Sequence, residues 1–172
     1  MPEITLILHN IRSTYNVGSI FRTAEGFGVK EIIISGYTPY PRRPNDARLP
    51  HIAEKMDAQI HKTALGAETM VPFRQFDELE TWLDSEGPHT ELVALEQSPT
   101  STLLSDFTPP RSFALLLGEE VHGIPDTLLR RCAHTVEIPM RGQKESFNVS
   151  VATGIALYGL LHANQHNTLT IA

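Results

Sequence analysis

The residues best suited to do chemistry fall in three polar stretches, residues 10–22, 118–123 and 139–148, each directly after a run that reads as a strand. They carry Asn16, Arg22, Glu120, Ser146 and Asn148. These types do not suggest proton shuttling near neutral pH. They suggest a ligand held by backbone groups, with an Arg, a Glu, an Asn and a Ser set around it. The third stretch ends where an apolar helix begins, so the Ser146 hydroxyl, the Asn148 amide and free N–H groups can all face a ligand at a helix N-terminus. A polar, glycine-bearing loop between a buried strand and a tightly packed helix is where open α/β sheets hold ligands.

Each residue also has a plainer reading. Arg22 alone would be a surface arginine, Glu120 an acid favourable to the dipole of the helix after Pro125, and Asn148 a helix cap. Other chemistries fail on their motifs. There is no G-x-G-x-x-G, and Gly118 to Gly123 has phosphate-loop spacing but is followed by Ile124-Pro125 instead of Lys-Ser/Thr. No G-x-S-x-G elbow exists for a hydrolase. His162 and His166 stand four apart but lack a third ligand, so no metal is expected.

The elements that must position these loops read as alternating strands and helices. Strands are expected over 5–9, 31–35, 69–73, 91–95 and 112–117, and at Val136 to Ile138. Helices are expected from a Ser13 or Asn16 cap to about Glu25, over 52–58, 76–83 and 125–131, and from about Asn148. Four prolines make 36–50 a long loop, and it carries Tyr37, Tyr40, Arg42, Arg43 and Arg48. Aromatics interleaved with arginines suit base stacking and phosphate contact, which makes this loop a candidate RNA contact. The last helix has a face of small residues, Ser150, Ala152, Gly154, Ala156 and Gly159, so something should approach its backbone closely. The class is α/β with a mainly parallel sheet and helices on both faces.

Composition sets outer bounds. With 172 residues, 41% hydrophobic and 20% charged, the chain is expected to form one domain over 1–172. No apolar run reaches membrane-span length, and the first residues have no basic n-region. Cys132 is the only cysteine, which excludes an intramolecular disulfide and points to a reducing, cytoplasmic setting. The net charge of −6 argues against a free-standing basic nucleic-acid binder, but the charge is segregated. Residues 1–62 hold eight Lys/Arg against six Asp/Glu, whereas 63–105 hold one against eight, so a locally basic face remains open.

Taken together, NVGSIFRTAEGFGV (16–29), LLLGEEVHGI (115–124) and IPMRGQKESFNVSVATGIALY (138–158) resemble, in order, the three motifs of the SpoU/TrmH branch of the SPOUT RNA ribose methyltransferases. KTALGAE (62–68) resembles a further family segment. The resemblance implies methyl transfer from S-adenosylmethionine to a ribose 2′-hydroxyl of tRNA or rRNA, a C-terminal trefoil knot and a homodimer. It implies that Arg22 is the catalytic arginine, with Asn16, Glu120, Ser146 and Asn148 as its motif partners. Cofactor contacts, largely through backbone, would come from Leu117, Gly118, Ile138, Met140, Ser146 and Phe147. Alignment of the sugar oxygen behind the methyl carbon can supply on the order of 7–11 kcal/mol. A guanidinium is a poor base, so Arg22 is expected to grip a phosphate and steady the forming alkoxide, itself positioned by Glu120 and Asn16. Ser146 or a water would take the proton. A non-catalytic module keeping the fold, or a small-molecule methyltransferase, are the alternatives.

Overall fold

The computed structural model describes residues 1–162. In chain order it contains β1 (Glu3–His9), α1 (Thr14–Gly26), β2 (Glu31–Ser35), α2 (Pro50–Ala64), β3 (Phe73–Phe76), α3 (Leu79–Ser85), β4 (Glu91–Leu95), β5 (Thr102–Leu103), β6 (Ser112–Leu117), α4 (Asp126–Leu129), β7 (His134–Glu137) and α5 (Val149–His162). The strands form one sheet in the order β3-β2-β1-β6-β4-β7-β5, and every pairing is parallel. Two later strands are inserted between earlier ones: β6 between β1 and β4, and β7 between β4 and β5.

Strand alternation divides the core in two. Leu6, Leu8, Ile32, Ile34, Leu115 and Leu117 face α1, α2 and α5, where Val17, Phe21, Ile60, Leu157 and Leu160 cover them. Ile7, Ile33, Ala94, Ala114 and Leu116 face the other way, beneath Leu79, Trp82 and Leu83 of α3 and Leu128 of α4. Buried on both faces, β1, β2 and β6 read as continuous apolar runs, as interior parallel strands do. Because all strands run one way, their C-terminal ends share a single rim, and the loops after β1, β4, β6 and β7 meet there.

Several local expectations shift. The helix expected over 52–58 runs from Pro50, at its first turn, to Ala64, and Leu65 in the left-handed conformation closes it. The strand expected over 69–73 lies at Phe73–Phe76, after a 3-10 turn at Ala67–Thr69. Phe76, expected to open the next helix, ends that strand instead. The small face of α5 is only partly explained within the chain. A Cβ on Gly159 would sit 3.1 Å from Leu104, but one on Gly154 would meet only Thr23 at 3.7 Å, an ordinary contact.

Candidate active site

The end of β1 is turned sharply by Asn10, whose φ is +60°, and the chain then enters α1 at Ser13. The Ser13 hydroxyl accepts from the Asn16 backbone N–H at 3.3 Å, which caps the helix and presents the Asn16 side chain at the rim. That amide joins three loops. Its Nδ2 donates to Glu120 Oε1 at 3.0 Å, and its Oδ1 accepts from Asn148 Nδ2 at 3.1 Å. The other Glu120 oxygen accepts from the Arg12 backbone N–H at 3.2 Å. Asn148 is fixed from behind, since its Oδ1 accepts from the Ser150 N–H at 2.9 Å and from the Ser150 hydroxyl at 2.7 Å. Residues 104 and 132 positions apart in sequence are thus tied to one side chain.

Glu120 also lines a cavity of about 300 Å³, formed by residues at and after the ends of β4, β6 and β7 and by the start of α5. Leu117, Gly118, Ile138, Ser146 and Phe147 line it, as does Glu120; Met140 does not. The loop after β6 turns tightly against itself. A Cβ on Gly118 would lie 2.5 Å from Ile124 and 2.8 Å from the Gly123 backbone, so no larger residue fits without displacing the loop. The cavity wall is acidic: Glu96, Glu119, Glu120, Glu137 and Glu145 line it together with His122, and among the described residues no Lys or Arg does. Glu119 is ion-paired to Arg12 and accepts from His122 Nδ1 at 2.8 Å. His122, then Arg12, hold its carboxyl below the ordinary range.

The sequence model of the SpoU rRNA methylase family matches residues 3–158. The chain belongs to that family. It is 33% identical over 160 residues to the 23S rRNA (guanosine-2′-O-)-methyltransferase RlmB of Coxiella burnetii, covering 91% of this chain and 57% of the relative. The chain therefore spans less than three fifths of that protein's length. The fold is similar to that of an AdoMet-bound rRNA methyltransferase from Sinorhizobium meliloti, with TM-score 0.76 and 23% identity, covering 99% of this chain and 57% of that one. It is also similar to a structure concerned with 2-OH methylation of C/U34 on tRNA, with TM-score 0.75 and 23% identity, covering 96% and 98% of the two chains.

Not every residue of the SpoU motifs meets at the cavity. Arg22 is exposed on α1, six residues beyond Asn16, which is about 9 Å along the helix axis. Among the described residues it forms no side-chain hydrogen bond or ion pair, so the expected support from Asn16 and Glu120 is absent; those two bind each other and Asn148 instead. The arginine loop is also differently arranged from its sequence reading. Arg48 is held inward: Nε and Nη2 donate to Asp46 at 2.8 and 2.5 Å, Nη1 to the Tyr40 carbonyl at 2.9 Å and Nη2 to that of Pro41 at 3.2 Å. Its guanidinium lies 3.6 Å from the Tyr40 ring centre. Arg48 and Tyr40 therefore shape the loop, while Tyr37 and Arg42 are exposed and Arg43 reaches over the Tyr40 ring at 5.2 Å.

Sequence reasoning missed Arg12, Glu96 and Gln97. Arg12 pairs with the cavity residue Glu119, its pKa raised by Tyr37 and then by Glu119. Gln97 Nε2 donates to the Glu145 carbonyl at 2.8 Å, tying the loop after β4 to that after β7. Glu96 and Gln97 follow a strand as the other site residues do, but no motif marks them. Of the His162–His166 pair, His166 lies outside the described residues. His162 Nδ1 donates to the Tyr158 carbonyl at 2.8 Å, and no group of three metal-binding side chains occurs among the described residues.

Proposed function

We propose that this chain transfers a methyl group from S-adenosylmethionine to a ribose 2′-hydroxyl of tRNA or rRNA. The observation that carries this reading is the acid-lined cavity at the strand ends, joined through Glu120 to the Asn16–Glu120–Asn148 junction. A ligand with fixed positive charge and an apolar face suits such walls; a phosphate-rich ligand does not. When bound, S-adenosylmethionine supplies an activated methyl group on a cationic sulfur. Leu117, Gly118, Ile138 and Phe147 would hold its body, with Ser146 at the loop edge. Met140, off the cavity lining, is the weakest of the expected contacts.

The protein's own task is then to hold the sugar. Asn16, Glu120 and Asn148 form the polar junction beside which the acceptor nucleotide is aligned, and alignment carries much of the acceleration. Arg22 is assigned to the substrate phosphate and the developing negative charge on oxygen, and the proton passes to Ser146 or a water. Tyr37, Arg42 and Arg43 would contact RNA, with Tyr40 and Arg48 holding their loop in shape.

The same reading includes a single SPOUT domain over 1–172 and a C-terminal trefoil knot, supported by the insertion of β6 and β7 between earlier strands. It includes a homodimer. Val151, Ile155 and Tyr158 form an apolar stripe on α5, 52%, 37% and 61% exposed, which suits a second copy. Such a copy could also bring Arg22 to a cavity it does not reach in its own chain. Among the described residues no helix is long and apolar enough to cross a membrane. Together with the lone, half-buried Cys132, this supports a cytoplasmic location.

The test is incubation with radiolabelled S-adenosylmethionine and total RNA, followed by mapping of the modified ribose. Label in alkali-resistant dinucleotides, absent with Glu120→Gln, is the expected result. Donor binding with no transfer to any RNA would favour a non-catalytic module, and RNA-independent transfer a small-molecule enzyme.

A further inference from the structure

Among the described residues, one cavity carboxylate has no side-chain partner yet is held in place by backbone. Glu96 is the first residue past β4, a strand flanked by β6 and β7 in the sheet. Its Oε2 accepts from the Ile124 N–H at 2.9 Å, and its Oε1 from the Gln97 N–H at 2.9 Å. Its own N–H donates to the Val136 carbonyl at 3.0 Å, which anchors it to β7. The carboxylate can occupy this place only because residue 123 is glycine: a Cβ there would stand 2.3 Å from Oε2. The other carboxylates of the wall are differently committed. Glu119 is taken by Arg12 and His122, Glu120 by Asn16 and the Arg12 N–H, and Glu137 by the Ser101 hydroxyl at 2.5 Å. Glu145 lies on the loop before α5, exposed to solvent.

An ionised carboxylate is an acceptor with about four lone-pair sites, and the backbone here fills one on each oxygen. One site per oxygen remains, in a group whose orientation is already fixed. Two adjacent hydroxyls satisfy that demand in a bidentate manner, and an acid at the end of a parallel strand meets a ribose in this way in dinucleotide-binding sheets. We propose that Glu96 is the specificity residue for the donor's nucleoside, accepting hydrogen bonds from its ribose 2′- and 3′-hydroxyls. This rests on the cavity being the donor site.

Calorimetric titration of the full chain with S-adenosylhomocysteine and its 2′-deoxy and 3′-deoxy analogues tests it. Hydrogen bonds to a charged group predict that each deoxy analogue binds wild type on the order of tenfold more weakly. Glu96→Gln, which keeps the shape and can still accept from Ile124 through its amide oxygen, should weaken the ribose ligand by a similar factor and abolish the ribose–deoxyribose difference. Thermal unfolding verifies that the variant is folded, and the wild-type series alone already tests the contact if it is not. Equal weakening of all three ligands would make Glu96 a brace for the loop after β6 and overturn the proposal, as would wild-type indifference to the hydroxyls. Failure of wild type to bind any of the three would instead remove the donor-site reading, and this one with it.

Discussion

At the scale of single residues, the site depends on one amide with a donor and an acceptor end in use. Asn16→Asp keeps the shape but removes the donor to Glu120 and sets two carboxylates together. Methyl transfer is expected to fall by roughly a hundredfold or more, with donor affinity within about threefold of wild type, in single-turnover and binding measurements. Arg22→Lys should also lose at least about tenfold, since an ammonium cannot grip a phosphate in a bidentate manner; a rate near wild type would remove that role. Asn16, Glu120 and Asn148 were legible in the sequence because each belongs to a motif of fixed spacing after a strand. Glu96 was not, because what distinguishes it is a hydrogen bond to Ile124, 28 positions away, and the lack of a side chain at Gly123. Arg48 was misread for a related reason. Sequence gives the charge of an arginine but not that Asp46, two residues before it, folds back to hold it.

At the scale of elements, the proline-rich loop and the small-residue helix each yield a prediction. Arg48, through hydrogen bonds, depresses the Asp46 carboxyl below its ordinary range. A depressed carboxyl stabilises the fold above its unfolded pKa, about 3.9, and that stability is lost as pH falls further. Asp46→Asn should therefore cost on the order of 2 kcal/mol at pH 7, and the deficit should shrink below about pH 4; chemical denaturation at several pH values measures both. The glycines separate cleanly. A Cβ on Gly18 would lie 2.2 Å from both the Ile60 carbonyl and the Thr63 hydroxyl, where α1 crosses α2, so Gly18→Ala should destabilise by about 1–3 kcal/mol. Gly154→Ala meets only Thr23 at 3.7 Å and should stabilise an isolated protomer by up to about 1 kcal/mol through helix propensity. The strands at 31–35, 91–95 and 112–117 were legible to the residue, since buried parallel strands are apolar without interruption. The stretch from 52 to 76 was less so, because the length of α2 is set by packing on α1 and not by a stop signal at Ala58.

At the scale of the whole molecule, the exposed stripe on α5 and the position of Arg22 off the cavity lining lead to the same experiment. Tyr158→Asp with Ile155→Asp should shift the mass by light scattering from two copies to one. Mixing Arg22→Ala with Glu120→Gln protein should restore part of the transfer rate if the two residues serve one site from different chains. Sequence alone gave the layered class but could not give strand order, because β6 and β7 enter the sheet between strands far from them in the chain. That order has a practical corollary. Every strand starts on the face of the molecule opposite the cavity, and β1 starts at Glu3. Tethering the protein to a sensor chip through its leading residues would leave the binding mouth pointing into the flow, open to both a small nucleoside and a folded RNA.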